Sequence, residues 1–141
     1  MDVTKIGVIG AGQMGNGIAH VMALAGYHVC LNDISEDVLS QALTRIDKNM
    51  MRQVKSGKIA QADKAAALAR ITTTLSIADI GQSDLVIEAA TEDEPTKQVI
   101  FDALVPHIQD HTILTSNTSS ISITRLASRT GRPEKFMGFH F

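Results

Sequence analysis

The stretch that most restricts this chain's fold lies at its start. Residues 5–15 read KIGVIGAGQMG, a short β-branched apolar run that enters Gly10-x-Gly12-x-x-Gly15 and leads into residues with helical periodicity. A strand that breaks into a helix through such a turn forces a particular geometry. Gly10 permits the tight turn, Gly12 leaves the main chain bare to an approaching pyrophosphate, and Gly15 lets the helix pack closely on the strand. Gln13 and Met14 lie between them, where the first free N–H groups of the helix and its dipole favour an anion. The glycine spacing alone is a weak signal and draws its meaning from the strand before it and the helix after it.

Strand and helix signals alternate along the rest of the chain. Met14, Ile18 and Met22 recur at helical spacing over 13–25, with Val21 and Ala25 beside them and Gly26 as the stop. YHVCLND (27–33) reads as the second strand. Ser35 is placed to cap a helix whose first turn carries Glu36 and Asp37, with Val38, Ala42, Ile46 and Met50 along one face. KSGK at 55–58 breaks it, and a shorter helix at 61–69 returns the chain. Four more strands are predicted at 70–74, 84–90, 111–117 and 135–141, with helices at 95–107 and 122–130. Continuous apolar strands alternating with helices imply a parallel sheet covered on both faces. The expected fold is therefore α/β, a Rossmann-like, doubly wound, mainly parallel sheet. The detour at 35–69 is too long for a simple crossover and is expected to be a helical hairpin projecting from the sheet.

A length of 141 residues suits one domain, and 44% apolar residues supply a core. A net charge of −2 gives no footprint for nucleic acid or an anionic membrane. No apolar run approaches the ~20 residues that span a bilayer, and MDVTKIGVIG reads as a strand rather than a signal peptide. The single cysteine, Cys30, excludes an intrachain disulfide and fits a cytoplasmic setting. No metal ligand set is assigned.

Asp33 ends the second strand, 18 residues beyond Gly15, where dinucleotide-binding folds carry an acid. Its carboxylate can accept from both hydroxyls of a ribose and would repel a 2′-phosphate, which no adjacent arginine or lysine offsets. NAD is expected over NADP. The plainer alternative is a turn glycine set with Asp33 as a loop cap, and FAD-binding proteins share the fingerprint. Ligands in such sheets sit outside the carboxyl ends of the strands. Those ends carry Glu88, Thr91 and Glu92; then Asn117, Thr118, Ser119 and Ser120; then His140. Asn117 and Ser119 could reach a nicotinamide ribose or a substrate oxygen, and a histidine suits removal of a hydroxyl proton. Equally, His140 could be a packed strand residue and the serine–threonine cluster a helix cap.

VIGAGQMGNGIA, DLVIEAATE, SNTSS and GFHF, in this order and at this spacing, resemble the NAD-dependent L-3-hydroxyacyl-CoA dehydrogenases, in particular bacterial members acting on 3-hydroxybutyryl-CoA. The resemblance covers the whole chain. It implies His140 as the base for the 3-hydroxyl proton, Ser119 as a hydrogen-bond partner of the reacting oxygen, and Asn117 as a cofactor and substrate contact. It implies cofactor contacts at Glu92 and Lys97 and a small residue, Ala89, under the adenosine–ribose path. The implied reaction moves hydride between NAD and C3 of a (3S)-3-hydroxyacyl-CoA. The family's histidine is oriented by a glutamate further along the chain, and a helical C-terminal domain closes over the substrate and forms a homodimer. Both are expected to be missing from this chain, which is therefore expected to bind NAD with little or no turnover. The rival enzyme reading is a β-hydroxyacid dehydrogenase, and the rival non-enzyme reading is a stand-alone NAD-binding module.

Lys48, Arg52 and Lys55 share a face of the first hairpin helix, and Lys58 follows. In the resembled family this hairpin meets the nucleotide end of coenzyme A, so Arg52 and Lys55 are the expected contacts to its phosphates. A solvated basic face is the plainer reading. Met50 and Met51 are read as hairpin packing.

Overall fold

A computed structural model describes residues 2–90, 93–117, 127, 130, 131 and 135–138, the last three of these (136–138) by backbone alone. Six strands form one sheet: β1 (Lys5–Ile9), β2 (His28–Asn32), β3 (Ile71–Thr74), β4 (Leu85–Glu88), β5 (Ile113–Ser116) and β6 (Phe136–Gly138). Their order is β3-β2-β1-β4-β5-β6, and every neighbouring pair is parallel. The chain winds outward from β1 in one direction to β3 and then restarts at β4 in the other. The switch point therefore lies between β1 and β4, where loops leave in opposite directions and open a crevice at the carboxyl ends.

The helices cover both faces. On one lie α1 (Gln13–Leu24), α2 (Glu36–Lys55) and α3 (Gln61–Ala69). Ile6, Val8, Val29 and Leu31 of the sheet are buried there with Ile18, Ala19, Leu39, Ile46 and Met50 of the helices. On the other face α4 (Ile77–Ile80) and α5 (Glu94–Leu104) bury Ile80, Phe101 and Leu104 with Ile9, Val86 and Leu114. Alternation of side chains along each strand produces this two-sided core. Burying a side chain the size of Ile or Phe contributes roughly 1.5–3 kcal/mol.

The 35–69 detour is the expected helical hairpin, and its apolar stripe is seated on α1. Ser35 caps α2, its Oγ accepting from the Val38 amide at 3.3 Å. Leu39, not Val38, joins Ala42, Ile46 and Met50 on the fully buried side. Two buried polar side chains of α1 fix the hairpin. Asn16 Nδ2 donates to the Ala42 carbonyl at 3.1 Å, and His20 Nε2 lies 2.8 Å from Gln53 Oε1. Lys64 of α3 pairs with Asp47 of α2 at 2.9 Å.

Two local expectations are corrected. Met14 and Val21 of α1 face outward, with Val21 56% exposed. The buried side of α1 runs through Gly15, Ala19 and Ala23, because the small residues are what allow close approach to the sheet and the hairpin. The helix expected over 95–107 ends at Leu104 and tightens into a 3₁₀ turn at Val105–His107, since Pro106 has no N–H to continue the α pattern. The one-turn helix α4 has no counterpart in the sequence reading. At the other end of α1, the Gly26 and Tyr27 amides donate to the Ala23 and Met22 carbonyls, closing the helix as its glycine signalled. Of the helix predicted over 122–130, only Ala127 and Thr130 are described, both helical.

A candidate dinucleotide crevice

The glycine-rich turn is built by two collisions that glycine avoids. Gly10 has φ +99°, and a Cβ on it would lie 2.5 Å from the Ala90 Cα. A Cβ on Gly15 would lie 1.6 Å from the Gly10 carbonyl oxygen. Gly10 therefore presses the β1 turn against the β4 loop, and Gly15 folds α1 back over that turn. A Cβ on Gly12, by contrast, would meet nothing within 4 Å, so the space above it is open. Gly12 is also the N-cap of α1 and supplies no side chain to the helix start. The first backbone hydrogen bond there runs from Asn16 N to Gly12 O at 2.9 Å. The amides of Gln13, Met14 and Gly15 precede it and have no acceptor within the helix. Ser35 and Asp93 cap α2 and α5 with their side chains. α1 alone of these three helices offers bare donors, with no acid in its first turn to compete for them. That is a cradle for a diphosphate.

Asp33 stands at the mouth of this turn. Its Oδ2 accepts from the Ala11 amide at 2.9 Å and its Oδ1 from the Ser35 amide at 3.1 Å. The carboxylate is thereby held between the turn and the start of α2. Its two oxygens offer about four lone-pair positions, so two remain for hydroxyl donors.

Beside Asp33 opens an apolar pocket of about 440 Å³, which the sequence reading did not anticipate. Gly10, Asp33 and Ala90 lie on its polar rim, and Ile34, Leu75, Val99 and Ile100 give it apolar walls. Ile34 is 96% exposed and Val99 67%, an unusual position for large aliphatic side chains. The signal was in the sequence, as Ile34 and Leu75 directly follow two strands at their carboxyl ends. The pocket's size and rim suit an adenosine whose ribose reaches Asp33.

Across the crevice the end of β4 carries a buried charge cluster. Glu88 has no exposed surface. Its carboxylate accepts from the Ala90 amide at 2.7 Å and the Ser116 hydroxyl at 2.6 Å, and it pairs directly with Lys97. Lys97 is equally buried, and its ammonium also lies 3.5 Å from the Asn117 carbonyl. Lys97 is one of the expected cofactor contacts, and here its ammonium pairs with Glu88. Its cation is enclosed and reaches the crevice through Glu88 and Asn117. Ala89 is held by its amide to the Ile9 carbonyl at 2.8 Å, lining up the β4 loop beside Gly10.

Asn117 follows β5, its amide N–H donating to the Glu88 carbonyl at 3.1 Å. Its side-chain amide points to the sulfur of Met14, 103 residues earlier in the chain. The residues expected near the nicotinamide end thus meet those expected near the pyrophosphate. Glu92, Ser119 and His140 lie outside the described residues. Arg52 and Lys55 are exposed in the last turns of α2 and do not line the pocket. There they also complement the negative end of the helix dipole.

Among the described residues no group of three or more His, Cys, Asp or Glu is arranged to hold a metal ion, and no helix is long and apolar enough to cross a membrane. The model of the 3-hydroxyacyl-CoA dehydrogenase NAD-binding domain matches residues 5–141. The 3-hydroxybutyryl-CoA dehydrogenase of Bradyrhizobium diazoefficiens is 50% identical over 139 residues, 99% of this chain and 47% of that protein. The fatty acid oxidation complex subunit alpha of Pseudomonas savastanoi pv. phaseolicola is 41% identical over 140 residues, which cover 99% of this chain and 19% of that one. The crystal structure of (S)-3-hydroxybutyryl-CoA dehydrogenase from Ralstonia eutropha superposes with a TM-score of 0.94 at 41% identity, spanning 99% of this chain and 50% of that one. The chain spans about half the length of the 3-hydroxybutyryl-CoA dehydrogenases it matches. A bare helix start, an acid at the end of β2 and a switch-point crevice are what a dinucleotide fold requires, and the match of the family model over nearly every residue agrees: the chain belongs to the 3-hydroxyacyl-CoA dehydrogenase NAD-binding domain family.

Proposed function

We propose that this chain is the cofactor-binding part of an NAD-dependent oxidoreductase that interconverts (3S)-3-hydroxybutyryl-CoA, or a related 3-hydroxyacyl-CoA, and the 3-ketoacyl-CoA. The observation that carries this reading is the uncapped start of α1 facing open space at Gly12, with Asp33 fixed 2.9 Å from the Ala11 amide beside it. NAD, when bound, would supply the acceptor for the hydride that leaves C3 of the substrate. Gly10, Gly12, Gln13, Met14 and Gly15 hold the diphosphate, Asp33 selects a ribose without a 2′-phosphate, and the apolar pocket takes the adenine. Ala89 and Asn117 border the nicotinamide side. Glu92 is a further cofactor contact, and Lys97 acts on the cofactor's side through Glu88 and Asn117. His140 takes the hydroxyl proton as hydride leaves the same carbon, and Ser119 holds the oxygen.

In this reading residues 1–141 form one NAD-binding unit. Arg52 and Lys55 meet the phosphates of coenzyme A from the hairpin. A helical C-terminal domain of the kind the resemblance implies makes the homodimer and completes the base. The protein works in the cytoplasm on a small-molecule thioester, without nucleic acid or membrane partners.

The test is binding of NADH and NADPH by fluorescence, followed by acetoacetyl-CoA-dependent loss of absorbance at 340 nm. NADH should bind at least tenfold more tightly than NADPH, since Asp33 would face the extra phosphate. Equal binding of the two would overturn the role of Asp33. Turnover of a hydroxyacid lacking coenzyme A, with none on acetoacetyl-CoA, would overturn the substrate class.

A further inference from the structure

The Glu88 cluster has more hydrogen bonds converging on it than a strand terminus needs. One carboxylate holds the Ala90 amide at 2.7 Å and the Ser116 hydroxyl at 2.6 Å and pairs with Lys97 of α5. These three partners belong to three separate walls of the crevice. Ala90 is the residue on which Gly10 closes, Ser116 is the last residue of β5, and Lys97 sits in the first turns of α5. Ser116 is followed directly by Asn117, whose main-chain amide and carbonyl are bound by the Glu88 carbonyl and the Lys97 ammonium, respectively. The Glu88, Ser116 and Lys97 side chains are fully enclosed. Burying an ion pair brings little net stability, because desolvation offsets most of the attraction. Packed apolar residues would do as well for the core alone.

We propose that Glu88 is a positioning residue for the nicotinamide half of the cofactor: its carboxylate, neutralised by Lys97, fixes Ala90 and Asn117 relative to Gly10 so that the far ribose and ring meet a preformed wall. The proposal rests on the NAD reading above and adds which half of the dinucleotide depends on the cluster. Glu88, Lys97, Ser116 and Asn117 do not line the adenine pocket, which the cluster reaches only through Ala90 on its rim, and none of them belongs to the diphosphate donors of α1. Preorganisation of this kind acts on affinity by lowering the ordering cost of binding.

The experiment compares two probes on the 141-residue chain: NADH by fluorescence enhancement, and ADP by calorimetry, which lacks the nicotinamide riboside. Glu88→Gln keeps the shape and loses the charge. NADH affinity should fall about tenfold and ADP affinity less than twofold. Ser116→Ala removes one donor without stranding a charge and serves if Glu88→Gln does not fold. It should weaken NADH about threefold and leave ADP unchanged. Equal weakening of both probes in a folded variant would mean that the cluster is only scaffold, and unchanged NADH affinity in Ser116→Ala and Glu88→Gln alike would also overturn the proposal. If the unaltered chain binds neither probe, the NAD reading itself fails; if it binds both and the variants do not separate them, only this inference fails.

Discussion

Two carboxylates bracket β4 and do opposite work. Asp84 precedes the strand and Glu88 ends it. At the amino end Asp84 Oδ2 accepts from the amides of Thr4 and Lys5 at 2.9 and 3.0 Å, and Oδ1 lies 2.8 Å from His111 Nε2. It staples the starts of β1, β4 and β5 in reach of solvent. At the carboxyl end Glu88 gathers β4, β5 and α5 with no solvent contact and pairs with a buried lysine. The same strand therefore ends in a water-screened staple on one side and a dry ion pair on the other. The difference teaches where this fold places its electrostatic cost. Asp84, which joins strand starts, stays near water, and among the described residues the enclosed pair of Glu88 and Lys97 lies beneath the candidate crevice.

The largest break in this contrast should come from Lys97→Met. It leaves the Glu88 carboxylate buried without its cation, and urea unfolding should show a loss of about 3–5 kcal/mol. A loss below about 1 kcal/mol would mean that water reaches the pair and that the two ends of β4 are alike. Next, Gly15→Ala places a methyl 1.6 Å from the Gly10 carbonyl, so the turn must shift. Overpacking of this kind costs about 1–3 kcal/mol, and NADH binding should vanish with it while the Asp84 end is untouched.

The smallest effect belongs to the solvent-facing staple. The amide of Thr4, then His111 and the amide of Lys5, hold the Asp84 carboxyl well below the ordinary carboxylate range. A depressed folded-state pKa gives stability that is present above the unfolded value, near 3.9, and is lost as pH falls through the folded one. Asp84→Asn should lower stability at neutral pH by about 1 kcal/mol, screened by solvent. Below about pH 4 its stability should decline less steeply than that of the parent. Parallel acid limbs in the two proteins would remove Asp84 as the titrating staple.

What could be read from the sequence was local. The β1–α1 turn, Asp33 at the end of β2, the Ser35 cap and the strand–helix alternation are patterns within a few residues, where steric rules act directly. The hairpin followed from the length of the detour. What escaped depended on contacts between distant residues. No periodicity shows that Lys97 folds inward onto Glu88, or that the Asn117 side chain meets Met14 across 103 positions. Met14 and Val21 fit a helical stripe, yet the small residues beside them decide which side packs. The adenine-sized pocket is assembled from loops after β1, β2, β3 and β4, so it exists only once the sheet order is known.

The most direct measurement is an amide NMR titration of the ¹⁵N-labelled chain with NADH. The account predicts the largest shifts at Gly12, Gln13, Met14, Gly15, Ala90 and Asn117, with Thr4, Lys5 and His111 unmoved. Shifts gathered around Asp84 at the amino end of the sheet, with the glycine-rich turn silent, would contradict it.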